Sequence, residues 1–494
     1  MRPTLRRSCA ACAKFKHSCD LRTPRCSRCI KRNVLCLYAN EPLTAPAPSK
    51  PEGGSPRNDN ELSSLTTYNF GSLDPFESYP PTRLPRDHVQ RLIHSFHHKI
   101  AFQYYPLDLN ASSNPFLVSW WPLALGDPAL FHVSLQTACL DEELLAQKGF
   151  HASEILMADS VALLRRKVAD LALAVQDGTM NSVITLAAIE FGKGNVEVSQ
   201  MHVDGAKKLV TLRGGINSVR QTSPLTARMV SWVSMLVMGH PQFNTQDDVG
   251  IGDGIPPIPE WQFDSTTTLQ DTTLTLNGVN YTIDPEVRNV FNRLRNSFNR
   301  ARHIPFSSTQ LHDLTCFVIH RLLLCAPPDS TTTDVHQPPP APAQFTECIR
   351  YGIVLYMFII HGPTYYSHDV ILNTIVMRFM AHLTTLHSTS IPHNTPIPPS
   401  LDIWCLSIGM VASRDTPHYQ WFRQRAQRTA LALPLAVSCW DEIHVHMQSI
   451  LWMESPQGEG IFRSHWDSVL GAVDLGVAER GLHFRDLVSV DDAL

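Results

Sequence analysis

Six cysteines, Cys9, Cys12, Cys19, Cys26, Cys29 and Cys36, constrain this chain more than any other feature. They follow the spacing C-x2-C-x6-C-x6-C-x2-C-x6-C, and adding 17 to each of the first three positions gives the last three. Two copies of one C-x2-C-x6-C unit therefore stand in tandem. A structural zinc ion takes four tetrahedral ligands. Two ions need eight ligand positions, and six thiolates fill them only if two cysteines each bridge both metals. One ion would leave two cysteines over, which the duplication argues against. A disulfide knot would require secretion, and the Arg-rich N-terminus has no apolar run to direct it. A metallothionein-like sink would have more thiols and fewer basic residues. Two Zn2+ ions on clustered thiols are the expectation.

Charge separates this head from the rest. Residues 1–40 hold ten Lys or Arg against one Asp, a net of +9, while the other 454 residues carry −13. Such a head suits a polyanionic partner and the body does not. The cations Arg6, Arg7, Lys14, Lys16, Arg22, Arg25, Arg28, Lys31 and Arg32 surround the thiols in sequence and would outweigh the −2 charge of a two-zinc, six-thiolate core.

The stretch "SCAACAKFKHSCDLRTPRCSRCIKRNVLCLY" resembles the fungal binuclear zinc cluster family, the Zn2Cys6 transcription regulators. The shared features are the spacing, a basic first helix after the second cysteine, Pro24 two residues before the fourth cysteine, and a basic second half. The resemblance implies that Cys9 and Cys26 bridge, that Cys12 and Cys19 complete one zinc, and that Cys29 and Cys36 complete the other. It also implies a small, irregular domain of two short helices whose first helix enters the major groove. There Lys16 would read a CGG triplet, lysine being suited to the acceptors O6 and N7 of guanine. "CAKFKHSC" departs from the family's basic run, with Ala13, Phe15 and Ser18 where many members carry Arg or Lys. His17 reads as a helix-surface residue, with a phosphate contact as the alternative. A CGG triplet recurs about once in 32 base pairs of random duplex, so specificity requires a second cluster or a cofactor protein. Residues 39–64 contain five prolines and no heptad pattern, so no coiled coil is expected there. Any homodimer would form through the body, or the protein binds as a monomer.

The expected organisation is a cluster domain over 1–40, a Pro-rich tether over 41–85 and a mostly all-α regulatory domain over 86–494, with loops near 326–344 and 388–400. The body's apolar residues recur at helical spacing from about Asp127 onward. Met157, Val161, Leu164, Val168, Leu171 and Val175 predict one helix with a buried stripe, with Ser153 as its N-cap and Gly178 as its stop. "YGIVLYMFII", Tyr351 to Ile360, is too short for a membrane span and reads as a buried helix. The segments "FHVSLQTACLDEELL", "AAIEFGKGNVEVSQMHVDGAKKLVTLRGGI" and "ILWMESPQ" resemble the fungal-specific regulatory domain found downstream of such clusters.

Catalytic constellations are missing from the body. "GKGN" at Gly192 lacks a phosphate-loop frame and reads as a turn, and "RGG" at Arg213 as a helix end with its glycine stop. "HSFHH" has no acidic or cysteine partner, and His444 and His446 fall on different helix faces. Cys139, Cys316, Cys325, Cys348, Cys405 and Cys439 read as buried thiols. The expectation is a nuclear regulator of RNA polymerase II transcription, not an enzyme. It would bind CGG-containing double-stranded DNA, engage transcription machinery or co-regulators through its body, and avoid membranes. The cluster's opening sequence also resembles pathway-specific controllers of secondary-metabolite gene clusters. The rival reading is a chromatin-anchored adaptor that binds DNA without sequence preference.

Overall fold

The computed structural model describes residues 10–19, 27–32, 34, 79–147, 149–262, 273–276, 278–325, 341–388, 397–432, 439–455 and 458–471. The chain divides into two units, Met1–Tyr68 and Asn69–Leu494. In the first unit, the described residues form two five-residue helices, α1 (Ala10–Lys14) and α2 (Ser27–Lys31).

The second unit is built of α-helices packed on one hydrophobic core that runs from Leu84 to Leu470. Sequence-adjacent helices pair: Pro128–Ala146 with His151–Val168, Asp177–Gly192 with Val196–Leu212, and Ala341–His361 with Asp369–Ser388. Ala341–His361 also packs on Ser308–Leu324 and Pro399–Ala412. Its length and apolarity would allow it to cross a membrane, yet it is buried inside the protein. Polar side chains fix the helix starts. Asp127 accepts from the amides of Ala129 and Leu130 at 3.1 and 3.3 Å, and Asp284 caps Pro285–Ala301 in the same way. Ser307 and Gln310 form a reciprocal capping box at the start of Ser308–Leu324.

Charges inside this body are paired. Asp313 accepts from Nε and Nη2 of Arg228 at 2.8 Å each and from Arg220 Nη2 at 3.1 Å. On the preceding residue, His312 Nδ1 lies 2.9 Å from His361 Nε2, and Trp232 stacks on His361 with ring centroids separated by 4.2 Å.

Several expectations need correction. Residues 79–85, assigned to the tether, belong to the body's packing: Leu84 is buried, Tyr79 stacks on Phe131, and His132 bonds the carbonyl of Pro81 at 3.0 Å. Residues 341–344, assigned to a loop, begin the Ala341–His361 helix, and Pro399 and Ser400 begin the Pro399–Ala412 helix; 326–340 and 389–396 lie outside the described residues. A two-stranded antiparallel hairpin, Thr273–Leu276 with Val279–Thr282 in the register Thr273 to Thr282, adds a strand element to the helical reading.

The predicted 153–175 helix is two helices. His151–Val168 ends before Asp170, whose carboxylate caps the short Leu171–Ala174 helix. The buried face is Ser153, Leu156, Ser160 and Leu164, whereas Val168 and Leu171 are 48% and 65% exposed. The physical reason is a rotation of the stripe: two small serines let the neighbouring helix approach on a face that apolarity alone did not mark. Glu143 Oε1, rather than Ser153, accepts from the first-turn amides of Ala152 and Ser153. Gly178 is not a stop; it lies in the first turn of Asp177–Gly192, where an added Cβ would come within 1.9 Å of Asp127 Oδ2. "GKGN" does form the turn after that helix, with Gly194 at φ +83°, and Gly214 and Gly215 follow Leu212 at φ +95° and +94°.

Candidate nucleic-acid interface

The 17-residue duplication in sequence reappears bond by bond. Helices α1 and α2 start and end 17 residues apart. The amide of Phe15 donates to the carbonyl of Ala11 and that of Arg32 to Arg28, both at 3.1 Å. The amide of His17 donates to the carbonyl of Cys12 at 2.9 Å, and that of Val34 to Cys29 at 3.1 Å. Each unit is thus one helical turn closed by a wider six-residue ring. In the first unit that closure places Lys16 at φ +53°, the left-handed conformation that terminates a helix. Lysine carries a Cβ penalty there, so the turn is held by the ring around it rather than by residue preference.

The arrangement sorts side chains by chemistry. Cys12 and Cys29, one from each unit, are buried side by side at 2% and 1% exposure, with Ala11, Cys19 and Val34 packed against them. Lys14, Lys16, Arg28, Lys31 and Arg32 are exposed. Soft thiol donors drawn inward from both repeats suit zinc. Among the described residues, no three His, Cys, Asp or Glu side chains converge on one point. The three further cysteines of the motif, Cys9, Cys26 and Cys36, lie outside the described residues, as do Arg6, Arg7, Arg22 and Arg25.

Two features escaped the sequence reading. Arg32 Nη1 lies 2.9 Å from Nε2 of His17, tying the second unit to the first. His17 is therefore a partner of Arg32 as well as a surface residue. Phe15 is 56% exposed, with its ring 6.4 Å from that of His17 and 6.0 Å from Lys14 Nζ. Its place between two lysines was the signal available in sequence.

The body offers no competing reactive centre among the described residues. Burial pushes the thiols of Cys139 and Cys316 up to about 12, so they stay protonated and unreactive. Cys439 is exposed, against the expectation that all six body cysteines are buried, and Cys325 is half-buried. His97 turns inward and meets the Trp121 ring edge-on at 4.5 Å; His446 bonds Ser400, and His444 stacks on Trp440. A cavity of about 490 Å3 between Leu109, Leu311, Tyr356, Ile360, Trp452 and Phe462 has apolar walls relieved by His361 and Ser455, with no acid–base pair.

Comparison with known families accounts for both units. The fungal specific transcription factor domain matches residues 91–477, and the fungal Zn(2)-Cys(6) binuclear cluster domain matches residues 7–45. No curated protein and no solved structure is a significant match. The chain belongs to the nuclear fungal transcription regulators, DNA-binding proteins rather than enzymes, in which a Zn(2)-Cys(6) cluster holding two zinc ions is joined to a fungal specific transcription factor domain.

Proposed function

We propose that this protein reads CGG-type triplets through residues 1–40 and regulates RNA polymerase II transcription through its helical body, 86–494. In this reading Cys9 and Cys26 bridge the two zinc ions, Cys12 and Cys19 complete one site, and Cys29 and Cys36 complete the other. Lys16 reads guanine. Arg6, Arg7, Lys14, Arg25, Arg28, Lys31 and Arg32 meet phosphates, which gives affinity that falls steeply with salt and little sequence preference.

The observation that carries the reading is the left-handed turn at Lys16. It ends α1 and sets an exposed lysine at the helix terminus, directly beyond the buried thiols. A helix that stops there offers both a cation and its last carbonyls to base edges. The body recruits co-regulators, and a homodimer through it would pair two clusters on one promoter. The narrower assignment, control of a secondary-metabolite gene cluster, extends this from the "SCAACA" opening alone and is checked by the transcripts that change when the protein is deleted.

Selection from a randomised duplex library by the zinc-loaded full chain tests the core claim. Enrichment of CGG that disappears on chelation supports it, and two triplets at fixed spacing support the dimer. Binding that is salt-sensitive but sequence-blind would leave the chromatin-anchored adaptor instead. Lys16→Ala should cost about 1–3 kcal/mol on the preferred site and little on random duplex; equal losses on both would make Lys16 a phosphate contact.

A further inference from the structure

Phe15 is the exposed large apolar side chain among the described residues of the cluster unit. The unit has an apolar interior, formed by Cys12, Cys29, Ala11, Cys19 and Val34, and Phe15 is not in it. The ring is instead held in a cationic frame. Lys14 Nζ lies 6.0 Å from its centroid, the His17 ring is stacked at 6.4 Å and 26°, and Arg32 bonds that histidine. The backbone on either side is fixed, by the Phe15 amide bond to Ala11 and by the left-handed turn at Lys16.

A partner for this ring must be polyanionic at its rim and apolar where the ring lands. Duplex DNA meets both conditions in the major groove, where the 5-methyl of thymine is the apolar group on the base edges. Consecutive Cα atoms are about 3.8 Å apart, close to the rise of one base pair at about 3.4 Å, so the backbones that carry Phe15 and Lys16 lie within about one step of each other along the groove. We propose that Phe15 is a specificity-determining residue that contacts the 5-methyl of a thymine within two base pairs of the triplet read by Lys16. The inference rests on the CGG reading for the position of the thymine, but not for the contact itself.

The test uses the zinc-loaded full chain and duplexes carrying its selected site. Each flanking thymine is replaced in turn by deoxyuridine, which removes the methyl and leaves the hydrogen-bonding edge intact. One position should lower wild-type affinity roughly fourfold, the transfer value of one methyl-sized apolar group. Phe15→Ala should bind the thymine and deoxyuridine duplexes alike while retaining its zinc and its preference for CGG. Phe15→Leu, still apolar, should keep part of the discrimination. Equal weakening of Phe15→Ala on both duplexes, or no methyl-sensitive position for the wild type, overturns the proposal. If the selected core is not CGG, the Lys16 reading fails by itself. Phe15 is then judged on the methyl dependence of the thymines beside whatever core is found, with dependence supporting the contact and independence overturning it.

Discussion

The cluster unit and the helical body solve the same folding problem with opposite materials. In the cluster, the described interior is two buried thiols with a handful of small neighbours, and Lys14, Lys16, Arg28, Lys31 and Arg32 are exposed. In the body, large rings such as Trp261, Trp404, Trp466 and Phe317 fill the interior, and charged groups are buried in pairs such as Asp313 with Arg228. The contrast follows from size. A segment of about 40 residues cannot bury enough apolar surface to offset chain entropy and depends on a metal, whereas several hundred residues can. The cluster's surface is thereby left free for cations, and the body's stability depends on how well its polar groups are matched.

Metal removal should separate the two most sharply. Structural zinc in small domains contributes about 10–16 kcal/mol of apparent folding free energy. Chelation, or Cys12→Ser, should therefore abolish DNA binding and collapse the chemical-shift dispersion of the cluster's NMR signals while the thermal transition of the body stays in place. A body transition that moved with zinc would break the comparison.

Acid acts on the body through its buried histidines. Burial, reinforced by Arg228 and Arg220, lowers His312 to about 3, and burial lowers His320 and His368 to about 4; His361 is also held well below its ordinary value. These groups bind protons in the unfolded chain near pH 6.5 but not in the folded one. Their stabilising contribution is complete above pH 6.5 and falls as pH drops towards 4, by up to about 1.4 kcal/mol per pH unit for each histidine. Urea titrations of the body at pH 7.5 and 5.5 measure this, and equal midpoints would refute it.

Asp313→Ala leaves Arg228 and Arg220 without their shared carboxylate and should destabilise the body by about 3–5 kcal/mol. Zinc content should not change. A smaller effect is expected for Gly409→Ala, whose Cβ would fall 2.2 Å from the buried ring of Phe422; overpacking of this kind costs about 1–3 kcal/mol. In both variants, DNA affinity per folded molecule should match the wild type, measured as a fluorescence anisotropy titration. A weakened affinity would show that the cluster depends on the body's packing.

Legibility followed the same division. The cluster was readable because metal ligation imposes integer spacings, and a duplication of 17 residues survives intact into helices and hydrogen bonds. The helical class of the body was readable from its apolar periodicity, from about Asp127 onward. The misreadings arose where a contact came from far along the chain. Gly178 resembles a helix stop until Asp127 is seen against it, and Ser153 resembles a cap until Glu143 takes the amides. Cys439 sits among apolar neighbours in sequence and is still exposed.

By itself, the sequence determined the thiol repeat, the cationic head on an acidic body, and the helical class, because each depends on residue type and local spacing. Only the tertiary structure decided which face of the His151–Val168 helix is buried, that Asp313 and two arginines form one buried group, that His17 meets Arg32, and that Phe15 remains in solvent. Those outcomes depend on which distant atoms arrive within a few ångströms, and no local pattern encodes such an arrival.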